Sequence, residues 1–398
     1  MKKTKPIKSA IHDQIFDNRR VFLRADLNVP ISDKVITNDY RLQAILPTID
    51  LLQQKGAKII LATHIGRPTG HNPELSTELL VPWFKKQGYD IVFAPTMEDA
   101  FKKSTEENKT IVLLENLRFF ESEKTNNNPE FVEELERLAD YYVNDAFGVM
   151  HRNDASVAAL PRLFGPDQRS IGLLIEQELD TLQKIKEGTE KPFVLIIGGS
   201  KIKTKLPLIQ EMIGTADSIL LCPAIVFTLL KAMDKPVGNS LIDESLIHQG
   251  KEILRLAEKS KTELLFPIDY QVSKNNFDGP VSTIESTKIP DGYMGMSIGP
   301  KTEELFAQKV NTAKTIFFNG AIGNPERVET LGGMEKLLTA IGKSKAFSVV
   351  AGGDSVAMTQ MFGLNLKMDR CLTGGGAALT FLANKPMPGL EPFIKQEK

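Results

Sequence analysis

The strongest constraint in the sequence is a regular alternation of short β-rich runs with longer stretches of helical periodicity. In the first half the strand-like runs are Val21–Arg24, Lys58–Ala62, Ile91–Ala94, Thr110–Leu114 and Tyr141–Asn144. Between the first two, Leu42, Ile45, Leu46, Ile49 and Leu52 recur at helical spacing within Arg41–Lys55. Pro129–Ala139 reads as another helix, with a proline in the first turn, where its missing N–H costs nothing. In the second half the runs are Phe193–Ile197, Ser218–Cys222, Glu263–Phe266, Thr315–Phe318, Phe347–Val350 and Asp369–Leu372. Helical patterns such as Leu206–Ile213 and Gly332–Ala340 separate several of them. Strand and helix in alternation predict parallel sheets covered on both faces.

About ten or eleven strands are too many for one ordinary sheet. A split near the middle gives two α/β domains of typical size. We place the first domain at residues 1–171 and the second at 188–385. Between them, residues 172–187 hold "GLLIEQELDTLQKIK", an amphipathic helix rather than a flexible linker. The proline-containing tail, residues 386–398, has the length to cross back to the first domain. Composition narrows the partners. The chain is 41% hydrophobic and 25% charged, with a net charge of -1, so no global basic excess holds nucleic acid or an anionic membrane. Cys222 and Cys371 are the only cysteines, which rules out a disulfide framework. The basic N-terminus, MKKTKPIKSAIHDQIF, lacks the apolar core of a secretory signal. No apolar run approaches the ~20 residues of a membrane helix. The expectation is a cytoplasmic protein with no nucleic-acid or membrane partner.

Ligands of open α/β sheets bind beyond the carboxyl ends of the strands. In the first half those ends carry Asp26 and Asn28, then His64 and Arg67, then Arg118, then His151 and Arg152; Arg41 stands near the start of the first helix. A guanidinium fork matches carboxylate and phosphate oxygens. Any one of these arginines alone reads as a surface cation. Four of them at strand and helix ends, with His64, predict a cradle for a small anion. His151 is a weaker candidate.

The strand ends of the second half are rich in glycine and lysine. They read Gly198-Gly199-Ser200-Lys201 with Lys205 one helical turn on, then Asn319-Gly320, then Gly352-Gly353-Asp354-Ser355, then Gly374-Gly375-Gly376. Glycines at a strand-to-helix junction let bare N–H groups and the helix dipole face a phosphate. Asp354 is suited to Mg²⁺, which takes one or two carboxylates plus phosphate oxygens. The spacing matches neither the P-loop nor the dinucleotide fingerprint. One glycine pair is as well explained by a tight turn, but several junctions in one half favour nucleotide phosphates. The triple glycine then opens a helix toward charge that develops in phosphoryl transfer.

Taken in order, "RADLNVP", "RLQAILPTID", "THIGRP", "LLENLRFF", "YYVNDAFGVMHR" and "GLLIEQEL", followed by "GGSKIKTK", "IGPKTEELF", "FSVVAGGDSVA" and "TGGGAAL", resemble the signatures of the phosphoglycerate kinase family almost end to end. The resemblance implies two doubly wound, Rossmann-like domains joined by a helical hinge, with the tail returning to the first domain. It implies reversible phosphoryl transfer between 1,3-bisphosphoglycerate and Mg-ADP, giving 3-phosphoglycerate and ATP, in glycolysis and gluconeogenesis, by a monomer. By position, Asp26, Asn28, Arg41, His64, Arg67, Arg118 and Arg152 would bind the glycerate. Arg41, Lys201, Lys205 and Gly374–Gly376 would act on the transferring group. Gly199, Lys201, Lys205, Asn319, Glu326 and Gly352–Ser355 would bind nucleotide, with Asp354 on Mg²⁺ and Glu326 on the ribose. Residues drawn from two domains would require domain closure, which also excludes water.

The chain departs from the family pattern mostly in one place. Cys222-Pro223-Ala224-Ile225 replaces a glycine-rich stretch, and Phe318-Asn319-Gly320-Ala321-Ile322-Gly323-Asn324-Pro325-Glu326 replaces a Trp-Asn-Gly-Pro-Met-Gly type. Ser297, Leu372 and Thr380 stand where Asp, Ser and Glu are usual. Asp154 replaces the second histidine of a His-Arg-Ala-His pattern. Side chains at Cys222–Ala224 are expected to fill space that glycines leave for the base. Two outcomes stay open: altered base recognition, or a repacked pocket that still takes ATP. A second class of function, a phosphate-binding regulatory relative, is disfavoured by retention of Arg41, Lys201, Lys205 and Asp354.

Overall fold

A computed structural model describes residue 7 and residues 11–106, 111–188 and 190–394. Thr110, most of the basic N-terminal segment and tail residues 395–398 lie outside the described residues. The chain divides into two compact units, Met1–Asp180 with Pro386–Lys398, and Thr181–Lys385.

In the first unit, β1 (Arg20–Ala25), β2 (Lys58–Ala62), β3 (Ile91–Ala94), β4 (Ile111–Leu114), β5 (Tyr141–Asp145) and β6 (Arg169–Ile171) form one six-stranded sheet. The order is β3-β4-β2-β1-β5-β6, and every pairing is parallel. Alternation along the strands explains the two buried faces. Val21, Leu23, Ile59, Leu61, Ile111 and Leu113 share one core cluster with Leu42, Ile45, Ile49 and Leu52 of α1 (Tyr40–Gln54). The intervening Phe22, Ile60, Val112 and Tyr142 are buried as well. Truncating one of these core side chains, such as Ile49→Ala, costs ~2–5 kcal/mol by the usual cavity rule. The strand order turns at β1, with β2 on one side and β5 on the other. The crevice beyond their carboxyl ends is the position where such sheets bind ligands.

The end of β5 also organises the start of α2 (Leu173–Glu187). The Asp145 carboxylate accepts the Thr48 hydroxyl at 2.5 Å and the Ile175 N–H at 2.9 Å, while Thr48 Oγ1 accepts the Leu173 N–H at 3.1 Å. These bonds satisfy orphan donors of the first helical turn. Burial nevertheless pushes Asp145 up to about 7. The tail belongs to the first unit: Ile394 pairs with Ile7, Phe393 stacks 6.3 Å from Tyr142, and the Gly389 N–H donates to Met150 O at 3.0 Å.

The second unit contains β7 (Phe193–Ile197), β8 (Ser218–Leu221), β9 (Glu263–Leu265), β10 (Tyr270–Lys274), β11 (Val281–Ile284), β12 (Tyr293–Ile298), β13 (Thr315–Asn319), β14 (Phe347–Ala351) and β15 (Arg370–Leu372). A parallel sheet runs β9-β8-β7-β13-β14-β15, and its order turns between β7 and β13. The helices that bear on the site are α3 (Ile202–Met212), α4 (Ile225–Ala232), α5 (Gly353–Met361) and α6 (Gly375–Leu382).

Two features were not expected from sequence. β6 has three residues, too few to carry a period. Strands β11-β10-β12 form a separate antiparallel sheet. Tyr270-Gln271-Val272-Ser273 alternates over only four residues, Val281–Ile284 sets Ser282 beside Thr283, and Gly295 interrupts Tyr293–Ile298, so no run is long enough to identify a strand.

Candidate active site

In the first unit the loops beyond β1 and β2 are stitched together. The Leu27 N–H donates to Thr63 Oγ1 at 3.0 Å, and the Gly66 N–H donates to Asn28 Oδ1 at 2.8 Å. Asn28 therefore shapes the His64 loop as well as offering an amide. Asp26 is almost fully buried and accepts Arg41 Nη1 at 2.6 Å, which fixes the start of α1 against the end of β1. After β4, Asn116 Oδ1 accepts the Arg118 N–H at 3.0 Å, and Arg118 Nη1 donates to Gly66 O at 2.7 Å. After β5, Arg152 Nε donates to both oxygens of Asp154 at 3.0 and 2.9 Å. The same carboxylate lies 3.8 Å from Arg118 Nη2, so Asp154 grips two arginines at once. Asp26, Asn28, Arg41, His64, Arg118 and Arg152 thus converge. Arg67 follows Gly66 and is exposed.

His64 sits within this positive cluster. Arg24 Nη2 lies 3.3 Å from His64 Nδ1. Arginine only donates, so Nδ1 accepts and the neutral ring carries its proton on Nε2. Burial, followed by the charges of Arg24, Arg118, Arg41 and Arg152, holds His64 well below its usual 6.5. Burial and then Arg152 draw Arg118 down to about 10, which still leaves it charged at neutral pH. Its Nε is buried with no hydrogen-bond partner among the described residues. So many cations with a spare buried donor form a ready anion cradle.

Sequence reading missed Arg24. It is fully buried, donates to Ser156 Oγ at 2.7 Å and to Ala25 O at 2.6 Å, and lies 3.6 Å from Glu123. Glu123 is fully buried too, and accepts the Ser156 N–H at 2.8 Å and its hydroxyl at 2.6 Å. The signal was present: a charge inside a strand whose neighbours are all apolar needs a buried partner.

In the second unit the ends of β7, β8 and β13 meet backbone to backbone. The Gly198 N–H donates to Asn319 O at 3.0 Å, and the Gly199 N–H donates to Pro223 O at 2.7 Å. A Cβ on Gly198 would lie 2.8 Å from both Ala321 O and Cys222 Cβ. Lys205 on α3 reaches back, nearly buried, and donates to Gly198 O. Burial lowers its pKa to about 8, with Lys201 pushing the same way and Asp354 opposing. Lys201 Nζ stands 3.8 Å from the Asp354 carboxylate, both groups open to solvent. Asn319 Nδ2 donates to Ala351 O at 2.7 Å, while its buried Oδ1 has no partner among the described residues. The Gly320 N–H donates to Ser355 Oγ at 2.7 Å.

Two glycines earn their place sterically. Gly320 adopts φ +105°, which a side chain rarely tolerates. A Cβ on Gly375 would collide with Gly352 Cα, so the starts of α5 and α6 touch through bare backbone. The triple glycine thus approaches a neighbouring glycine turn, and not only a ligand.

A cavity of about 380 Å³ opens here. Its polar lining includes Gly199, Lys201, Lys205 and Asp354; its apolar lining includes Pro223, Leu241, Phe277, Met294 and Met296. The expected filling by Cys222–Ala224 is only partly met. Pro223 and Ala224 form wall, whereas Cys222 is fully buried outside the lining, its thiol pushed up by burial. Ala321, Gly323, Asn324 and Pro325 also line the cavity, while Ile322 is fully buried. Glu326 is exposed on that loop and contributes no lining; its N–H donates to Asn324 Oδ1 at 2.8 Å. Ser297 is buried on β12, and its hydroxyl has no partner among the described residues. No group of three or more His, Cys, Asp or Glu stands ready for a metal among the described residues. Asp354 alone fits an ion that draws its other ligands from phosphate and water. No described helix is long and apolar enough to cross a membrane.

A cradle of guanidinium groups on one parallel sheet, and a lysine–carboxylate pair beside an apolar cavity on another, give a two-unit α/β protein with an anion-suited site in each unit. A model of the phosphoglycerate kinase family matches residues 11–385. The chain belongs to that family. It is 38% identical over 393 residues to a phosphoglycerate kinase of Clostridium botulinum (strain Alaska E43 / Type E3), covering 96% of this chain and 98% of the other. It is 38% identical over 384 residues to the cytosolic phosphoglycerate kinase of Triticum aestivum, covering 94% of each. Among solved structures, phosphoglycerate kinase from Coxiella burnetii superposes with a TM-score of 0.81 at 29% identity, over 98% of this chain and 99% of that one. The Pyrococcus horikoshii OT3 enzyme gives 0.83 at 29%, over 97% and 98%.

Proposed function

We propose that this chain catalyses reversible phosphoryl transfer between 1,3-bisphosphoglycerate and ADP, giving 3-phosphoglycerate and ATP. The observation that carries the reading is the pairing of an arginine cradle in one unit with a lysine- and glycine-lined cavity in the other. Arg41, Arg67, Arg118 and Arg152 suit the carboxylate and phosphate of glycerate, with His64 as a neutral donor. The apolar walls suit a nucleotide base, and Lys201, Lys205 and the glycine turns suit its phosphates. Phosphoryl transfer demands positioning and charge stabilisation rather than a covalent protein intermediate. Arg41, Lys205 and the backbone of Gly374–Gly376 are the groups we assign to the transferring charge. Asp354 would hold Mg²⁺, which when bound neutralises phosphate charge. Glu326 is our candidate for the ribose, and Asn319 and Gly352–Ser355 complete the nucleotide loop. The wheat relative is named cytosolic, which favours the same compartment; we read the enzyme as a monomer.

Coupled turnover of 3-phosphoglycerate with Mg-ATP, with Mg-GTP in parallel, tests the assignment. Rates on the order of 10–10³ s⁻¹ with ATP are expected. Absence of turnover with either nucleotide, despite measurable 3-phosphoglycerate binding, overturns it in favour of a binding protein.

A further inference from the structure

Arg327 follows the β13 loop and matches no motif in the sequence. We propose that Arg327 is a positioning residue for the nucleotide base: its side chain fixes Phe277 as one wall of the cavity while its backbone belongs to the turn that supplies another. The inference rests on the nucleotide-site reading above.

The two walls come from separate loops. Phe277 lies between β10 and β11, and Asn324 and Pro325 lie beyond β13; all three line the cavity. The Arg327 fork spans the gap. Nη1 donates to Phe277 O, Nη2 donates to Gly279 O at 2.9 Å, and the guanidinium carbon lies 5.8 Å from the centre of the Phe277 ring. Glu329 steadies the fork from behind, accepting Nε at 2.9 Å. The side chain is only 15% exposed.

The Arg327 backbone is pinned equally firmly. Its N–H donates to Asn324 O at 2.9 Å. Thr330 Oγ1 donates to Arg327 O at 2.7 Å and accepts the Asn324 N–H at 2.9 Å. Within the Phe277 loop, Ser273 Oγ reaches Asn276 O at 2.6 Å, Gly279 O at 2.9 Å and, more loosely, Phe277 O at 3.4 Å. Arg327 is the anchor that reaches this loop from the opposite wall. A planar fork can serve two carbonyls and lie against a ring together; a lysine point charge cannot. A wall held before the ligand arrives spares the ordering cost of binding.

The test uses full-length wild type, Arg327→Ala, Arg327→Lys and Phe277→Ala, with folding checked by circular dichroism. Steady-state KM for Mg-ATP and for 3-phosphoglycerate is measured, together with calorimetric binding of tripolyphosphate, which has no base. Both Arg327 variants should raise the ATP KM about fivefold or more, the scale of one or two lost hydrogen bonds. The 3-phosphoglycerate KM and the tripolyphosphate Kd should stay within about twofold. The double variant Phe277→Ala/Arg327→Ala should bind ATP no worse than Phe277→Ala alone, because the two act as one unit. Arg327→Lys keeps the charge and stem, so it serves where Arg327→Ala fails to fold. An unchanged ATP KM in a folded Arg327→Lys, with a raised one in Phe277→Ala, overturns the inference while leaving the nucleotide site intact. Equal weakening of tripolyphosphate and ATP also overturns it, since the effect is then not on the base. A wild type that binds tripolyphosphate but gains nothing from the base overturns the cavity reading itself, and this inference with it.

Discussion

His64 has its chemistry set almost entirely by its neighbours. Burial and four arginines lower its pKa, so the folded protein sheds a proton that the unfolded chain would hold near 6.5. The sign follows by linkage: its contribution to stability is full above 6.5 and is lost as pH falls below it. The ring resonances of His64 should therefore show no titration step at 6.5 in an NMR pH series; a step there overturns the neutral assignment. Lys205 gives the opposite test at alkaline pH. Its pKa of about 8 means that its charge fades as pH rises through 8. In wild type, kcat/KM for nucleotide should decline above that point. Lys205→Met should be low and flat across the same range, and a parallel decline in the variant would assign the step elsewhere. At this scale sequence served unevenly. Arg41, His64 and Arg118 were legible because each follows a strand or opens a helix. Arg24 announced itself only as a charge inside an apolar strand, and Arg327 not at all, because their partners Glu123 and Phe277 lie far away in the chain.

The junctions of strand with helix carry most of the site, and they are tightly packed. Gly375 is the clearest case, since its missing Cβ lets the start of α6 meet Gly352 at the start of α5. Gly375→Ala must push two helix starts apart. Overpacking of this kind costs ~1–3 kcal/mol, to be read by calorimetric unfolding. Turnover should fall by a larger factor than stability suggests, because both turns belong to the proposed phosphate site. Unchanged Tm and turnover would mean that the turns have slack. The longer parallel strands were legible as elements because both of their faces are buried, which gives continuous apolar runs such as Phe193–Ile197. The β10–β12 sheet escaped because its strands carry polar residues on exposed positions, as in Val281–Ile284.

Across the whole molecule, the glycerate candidates all belong to the first unit and the nucleotide cavity to the second. The two-unit architecture was readable from strand count alone; which residues cooperate across it was readable only by resemblance. In-line transfer needs the acceptor oxygen and the phosphorus within ~3–3.5 Å. If one substrate binds each unit, the reactive complex requires the units to bring their ligands together, and water must be excluded at that moment. Neither substrate alone supplies the other half of that interaction, so each binary complex should stay near the free state. Small-angle scattering with 3-phosphoglycerate and a non-hydrolysable ATP analogue should then give a smaller radius of gyration than either ligand alone. Differential affinity is what drives such a shift, so the ligands should also bind cooperatively, each tightening the other by the same factor. Calorimetric titration of the analogue, with and without 3-phosphoglycerate, measures that factor. A factor of one together with an unchanged radius would mean that transfer does not depend on closure, and that the cradle and the cavity do not serve one reaction.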